Sequence, residues 1–250
     1  MKIMMLGDTH GSLRDFQAHA PYMRDVDLVI QLGDFGFVWD DREVVKKLDA
    51  ILEEVDVDLW WIDGNHENFD FLKMLFDLTP DDSEPTSMTS RITYLPRGYR
   101  FELGGVKFLA FGGATSIDKH RRTSFGTWWP QESITDEQVE RVTDEAVDFL
   151  LSHDVCSMTP SLERRLLNPI KPEREIESIE NRKRLGEVAR RVTPKINVHG
   201  HYHAYYADRA GEIDIIGLDC GSVHGARLVL DTDMFMRAEH EFTYQQEVSP

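Results

Sequence analysis

Five short apolar runs, each stopping at glycine or a polar residue, set the rhythm of the chain. Ile3-Met4-Met5-Leu6 stops at Gly7-Asp8, Leu28-Val29-Ile30-Gln31-Leu32 at Gly33-Asp34, and Leu59-Trp60-Trp61-Ile62 just before Gly64-Asn65-His66-Glu67. Phe149-Leu150-Leu151-Ser152 stops at His153-Asp154, and the run ending in Val198-His199 stops at Gly200-His201. Continuous apolar stretches of this length predict buried strands rather than strands with one wet face. Between the first three, residues 12–23 and 40–55 read as helices. Ser12 is a candidate cap, and Val44, Val45, Leu48, Ile51, Leu52 and Val55 recur at helical spacing. Strand, helix, strand, helix, strand predicts a parallel sheet with crossover helices.

Further along, 68–77 reads as a helix and 79–90, rich in Asp, Ser, Pro and Thr, as an exposed loop. Strands are expected over 92–95, 99–103 and 106–111, the last two joined by Gly104-Gly105 as a hairpin. Thr135 and Gln138 form a capping-box pattern for a helix running to Val147. Residues 155–175 hold three prolines without periodicity and read as a long loop before a helix over 177–192. The second half closes with strands expected at 195–198, 205–208, 213–218, 227–231 and 235–242. The whole reads as one domain over residues 1–244 with a loose tail at 245–250.

Composition narrows the function. The net charge is −17, so the long-range field repels nucleic acid, and an extended nucleic-acid surface is not expected. No stretch of eighteen apolar residues is present, which argues against a membrane span, and the start turns acidic too early for a secretory leader. A cytoplasmic protein is the expectation, and a homo-oligomer is compatible with it. Cys156 and Cys220 lack metal-site or redox spacing and read as free thiols.

The residues just past the predicted strands share a chemistry. Asp8, His10, Asp34, Asn65, His66, His153, His201 and His203 all fall at the carboxyl ends of strands, the rim where open α/β sheets bind ligands. Carboxylate, amide and imidazole donors without thiolate suit Mn²⁺, with Fe or Zn²⁺ as alternatives. Eight such groups are too many for one ion with open positions and fit two ions about 3.5–4 Å apart sharing one carboxylate. Two divalent ions against Asp8 and Asp34 leave the centre positive, suited to drawing in a small phosphorylated substrate and activating water for hydrolysis. No serine or cysteine nucleophile is then required.

Asp8-x-His10, Gly33-Asp34, Gly64-Asn65-His66-Glu67, His153 and Gly200-His201-x-His203 together resemble the motif set of the calcineurin-like metallophosphoesterase superfamily, in the family's order. The resemblance implies an α/β fold, a four-layer α/β/β/α sandwich with two central mixed β-sheets. It implies a first metal on Asp8, His10 and His203, a second on Asn65, His153 and His201, and Asp34 bridging. It also implies that His66 acts as general acid or transition-state stabiliser, held by a carboxylate such as Asp34 or Glu67. In the family's phosphoprotein phosphatases an arginine precedes Gly-Asn-His-Glu; here that place is Asp63. A second carboxylate beside the cluster would favour a phosphodiester or nucleotide-type substrate over a monoester dianion. Lys119, Arg121 and Arg122, in a glycine-led loop, are candidate phosphate-binding replacements for that arginine. The alternatives are a phosphomonoesterase or protein phosphatase and, outside catalysis, a metal-binding scaffold of the same fold. Asp154 is a candidate partner for a ligand imidazole. His19, His120, His199, His224 and His240 lie outside the motifs and read as surface or core residues.

Overall fold

A computed structural model describes residues 1–39, 42–116, 118–122, 126–165 and 172–238; the side chains of residues 42, 120 and 172–175 are also outside the description. The expected tail at 245–250 and the loop residues 123–125 therefore lie outside the described residues.

The first sheet takes β1 (Lys2–Leu6), β2 (Leu28–Leu32), β3 (Asp58–Ile62), β4 (Thr86–Ser87), β5 (Ile92–Tyr94) and β12 (Arg227–Asp231) in the order β12-β1-β2-β3-β5-β4. β1, β2, β3 and β5 run parallel, and β12 and β4 pair antiparallel at the edges. The second sheet takes β6 (Tyr99–Leu103), β7 (Val106–Phe111), β8 (Phe149–Ser152), β9 (Ile196–His199), β10 (Tyr206–Ala210) and β11 (Ile213–Gly217) in the order β10-β11-β9-β8-β7-β6. Both sheets are mixed.

Strand periodicity of two sorts the core into three layers. Met4, Leu6, Val29, Leu59 and Trp61 turn outward against Phe16 of α1 (Leu13–Met23), Leu48 and Leu52 of α2 (Arg42–Val55) and Leu72 of α3 (Phe69–Phe76). Their neighbours Ile3, Met5, Leu28, Ile30 and Leu32 turn inward and meet Phe108, Ala110, Phe149, Leu151 and Val198 of the second sheet. Leu109, Phe111, Leu150 and Ile215 face the far side. There they pack on Val139 of α4 (Asp136–Glu140) and on Leu185, Val188 and Val192 of α6 (Pro172–Val192). Helices, sheet, sheet, helices is the expected four-layer sandwich. Its middle interface brings the ends of β1, β2, β3, β8 and β9 to one rim.

The departures have local causes. α4 has the expected capping box, with Thr135 and Gln138 reciprocally bonded, but ends at Glu140. The carbonyls of Val142, Thr143 and Glu145 are taken by Arg191 and Arg100, and Val147 N–H donates to Val192, which holds this stretch open. The 155–175 stretch is no single loop, because two of its prolines begin helices. Pro160 opens α5 (Pro160–Arg165) behind a Thr159 hydroxyl cap, and Pro172 opens α6, a position where a missing N–H costs nothing. The strand expected over 235–242 is helical at 235–238, its remainder lying outside the described residues; the helical stretch starts at 232, where Asp231 Oδ1 accepts from the Asp233 and Met234 amides as a cap. The 79–90 loop contributes the short edge strand β4.

Candidate metal centre

Three of the five strand ends at the shared rim, those of β1, β2 and β9, present polar residues through an unusual backbone conformation. Of seven non-glycine residues with positive φ among those described, four are His10, Asp34, His201 and His203, with φ from 47° to 68°. Such conformations cost of order 1–3 kcal/mol each and cluster where a site over-determines them. Close approach does the rest. A Cβ on Gly64 would collide with the amide and carboxylate of Asp34, and one on Gly200 with the carboxylate of Asp8. Those two loops can therefore reach the cluster only as glycine.

Two groups of side chains meet at Asp34. On one side Asp34 Oδ2 lies 3.8 Å from His10 Nδ1, while Asp8 Oδ2 lies 3.0 Å from His203 Nε2 and 3.8 Å from His10 Nε2. One donor atom from each of Asp8, His10, Asp34 and His203 falls within 4.8 Å of all the others, the spacing of a cation's shell. On the other side Asp34 Oδ1 lies 3.2 Å from His153 Nε2, which is 3.1 Å from Asn65 Oδ1. His201 flanks this second group, its ring 5.0 Å from that of His153 between centroids.

Charge and orientation fit a cation. Asp8 and Asp34 are buried, and Asp8 Oδ2, although close to two imidazoles, accepts no well-formed hydrogen bond, a costly arrangement unless a positive group sits against it. Burial opposes ionising Asp34, yet the nearby His153, His66 and His10 hold its carboxyl well below the usual carboxylate range. Burial also opposes charging His153, but Asp34 and Asp8 outweigh it and lift the imidazole to about 10. Burial pushes His201 down to about 4. The adjacent Asp8 carboxylate raises His203. His153 Nδ1 donates to the Leu32 carbonyl at 2.8 Å, which turns Nε2 toward Asp34 and Asn65, where a bound cation would take the place of its proton. That is the tautomer a metal-ligating imidazole uses. The donor set thus fits two divalent ions, with Asp34 placed to serve both.

Several expected partnerships differ. Neither Asp34 nor Glu67 holds the His66 ring: Asp34 Oδ1 accepts the His66 backbone amide at 2.7 Å, and Glu67 accepts those of Phe35, Gly36 and Gly64. Glu67, pushed up to about 8 by burial, joins two rim loops. The ring is held at Nδ1 by Arg122 Nη2, 3.3 Å away. Burial lowers the pKa of His66. Among the described residues Asp154 touches no imidazole through a hydrogen bond; it accepts from Tyr202, Asn181 and its neighbour Val155.

The three basic residues separate. Arg122 alone reaches the cluster. Lys119 pairs with Glu177 at 2.9 Å and lies over the Trp128 ring, and Arg121 is exposed on the same short turn. Asp63 is buried, but its charge is answered by Arg97 and its other oxygen by Tyr94, so it adds no free carboxylate to the cluster. Phe35 and Phe37 pack in the core beside Trp61 and Phe16. Of the remaining histidines His19 and His199 are buried and His224 is exposed, while the His120 side chain and His240 lie outside the described residues. Ser116, Glu132 and Arg97 adjoin the site or support it without forming any motif; for Ser116 the glycine-led loop is the only signal.

The family model "Calcineurin-like phosphoesterase" matches residues 1–205, a span that contains every motif residue. No curated protein is a significant match to the sequence. Among solved structures, the protein TT1561 of Thermus thermophilus is similar with a TM-score of 0.52 at 10% identity, over 88% of this chain and 90% of that one. A phosphopantetheinyl hydrolase from Mycobacterium tuberculosis gives a TM-score of 0.47 at 15% identity, over 92% of this chain and 95% of that one. At such identity the first of these shows a common fold. No described helix is long and apolar enough to cross a membrane.

Proposed function

The chain belongs to the calcineurin-like phosphoesterase family, and from that premise we propose that it hydrolyses a small phosphodiester or nucleotide-type phosphate ester at a two-metal centre. Membership implies metal-dependent hydrolysis of phosphoric esters. The observation that carries the reading for this chain is the position of Asp34, one oxygen beside His10 and the other beside His153. Asp8, His10 and His203 would hold one ion, and Asn65, His153 and His201 the other, with Asp34 shared. The donor set, free of thiolate, favours Mn²⁺. When bound, the ions would polarise the phosphoryl group and bring the pKa of water toward about 7.

The protein's own groups set up the rest. Arg122 donates to His66 Nδ1, so the ring proton sits on Nε2, and burial keeps the ring neutral. His66 is then a donor toward the ester's leaving oxygen. The diester preference has a new basis now that Asp63 is neutralised. Arg122 is paired at 3.0 Å with Glu132, whose carboxyl burial raises to about 7, and Lys119 is paired with Glu177, so little of their charge is left for a second phosphate negative charge. Chelator-stripped protein, assayed with and without Mn²⁺ on a chromogenic diester and the matching monoester, tests this. Diester turnover that returns with Mn²⁺ is expected. A monoester preference would overturn the substrate reading, and no turnover of either ester would overturn the catalytic one.

A further inference from the structure

Behind Asn65 and His66 lies a buried carboxylate that no motif contains. Glu132 ends a short 3₁₀ turn, Pro130–Glu132, and is fully buried. Its Oε2 accepts the Ser116 hydroxyl at 2.5 Å, and its Oε1 accepts Arg122 Nη1 at 3.0 Å. A hydroxyl has one proton to give, so with that proton on Glu132 the Ser116 oxygen can only accept from its other neighbours. Asn65 Nδ2, at 3.0 Å, is one of them, and Arg122 Nη1 is another. Asn65 is thereby held with its amide nitrogen toward Ser116 and its Oδ1 toward His153 Nε2, the side on which the metal ligands converge. The flipped amide would point N–H groups at the metal ligands and set its oxygen against a Ser116 oxygen that has no proton left for it.

Arg122 carries the second branch. While Nη1 is bound to Glu132 and to the Asn65 carbonyl at 3.2 Å, Nη2 lies 3.3 Å from His66 Nδ1. A guanidinium has only donors, so it fixes His66 with its lone pair on Nδ1 and its proton on Nε2.

Glu132 is itself anchored at the backbone. Its carbonyl accepts Arg97 Nη2 at 3.2 Å and the Ala114 amide at 3.0 Å, and Arg97 also grips the carbonyls of Gln131 and Ser133. Arg97 in turn is paired with Asp63, next to the loop that bears Asn65 and His66. A buried ion pair such as Arg122–Glu132 contributes little net stability, so its placement against Asn65 and His66 argues for positioning as its use.

We propose that Glu132 is a positioning residue which, through Ser116, orients the Asn65 amide and, through Arg122, sets the His66 tautomer. This rests on the roles given above to Asn65 and His66. The test compares Ser116→Ala, Arg122→Ala and Glu132→Gln with wild type in three readouts: metal affinity by chelator competition, His66 ¹⁵N shifts in Zn²⁺-loaded protein, and kcat and KM with Mn²⁺. Ser116→Ala should weaken the second metal by about 10–100-fold, the cost usual for partners that orient ligands. Arg122→Ala should keep both metals, mix the His66 tautomers and lower kcat by about 10–100-fold with KM nearly unchanged. Glu132→Gln, nearly isosteric, should show both effects in a folded protein. Wild-type metal affinity and His66 shifts in Ser116→Ala and Glu132→Gln, even with a lower Tm, would overturn the proposal. A raised KM at constant kcat in Arg122→Ala would overturn the Arg122 branch in favour of a phosphate grip. Were wild type to turn over no ester, the proposed function would fall, while metal affinity and the ¹⁵N shifts would still decide the positioning.

Discussion

Arg97 and Asp63 form an ion pair in which neither side chain has any solvent exposure. Arg97 Nε meets Asp63 Oδ2 at 3.0 Å, and Tyr94 donates to Asp63 Oδ1 at 2.8 Å. The pair links the end of β3 to the segment carrying Glu132. Breaking such a pair from one side leaves a buried charge unanswered, which costs about 3–5 kcal/mol. Arg97→Ala should therefore lower unfolding free energy by that order in urea titrations. Adding Asp63→Leu should return part of the loss, because no charge then remains stranded. An Arg97→Ala protein with wild-type stability would show that the pair is solvated or replaceable.

That pair also marks where the sequence stops being legible. The strands leading to Asp8, Asp34, Asn65, His153 and His201 can be read locally, because each is an apolar run closed by glycine or a donor residue, and β1, β2 and β3 lie side by side in chain order. Asp63 can be seen as a carboxylate beside the motif but not as a neutralised one, since Arg97 lies 34 positions away with no periodicity to connect them. The partner of His66 escapes a sequence reading for the same reason. Arg122 stands out as basic, but only the fold turns it inward onto His66 and Glu132 while Lys119 and Arg121 stay outside. Prolines mislead in the opposite sense. Pro160 and Pro172 look like breakers, yet at a first helical position each begins a helix.

His19 supplies a pH dependence away from the metal centre. In α1 its Nε2 donates to the Gly221 carbonyl at 2.8 Å, and Arg227 faces Nδ1 at 3.4 Å. Burial, aided by Arg227, lowers its pKa from the ordinary 6.5, although the Gly221 bond and Asp15 oppose this. The folded state thus binds fewer protons than the unfolded chain below pH 6.5, and stability from this group falls as pH drops through that value. In thermal melts from about pH 7.5 to 5.5, the stability advantage of wild type over His19→Gln should shrink. The other histidines are common to both proteins and cancel in the difference. An advantage constant with pH would mean that His19 accepts its proton without strain.

Asp34→Asn tests the shared ligand. Asparagine keeps the volume and can still accept the His66 amide that Asp34 Oδ1 accepts at 2.7 Å, so the rim loop should stay in place. What it removes is the carboxylate that lies between the His10 and His153 groups. Metal content after desalting should fall for both ions rather than one, with phosphoesterase activity nearly abolished. Full occupancy of either ion would assign Asp34 to a single ion.

His66→Ala separates binding from chemistry. The ring of His66 lies 5.3 Å from that of His10 between centroids, and its only side-chain hydrogen bond among the described residues is to Arg122, so it is assigned to neither ion. Its removal should therefore leave metal content and melting temperature close to wild type. The loss of a positioned acid costs about 10²–10⁴-fold in the chemical step. That loss should appear in kcat and depend on the substrate. A diester with a strongly acidic leaving group needs little protonation and should lose less than one with an alkoxide leaving group. Equal losses for both leaving groups would point instead to His66 stabilising charge on the phosphoryl oxygens. In either case Arg122→Ala should lose less than His66→Ala, since it unfixes the Nε2 proton but leaves the ring in place.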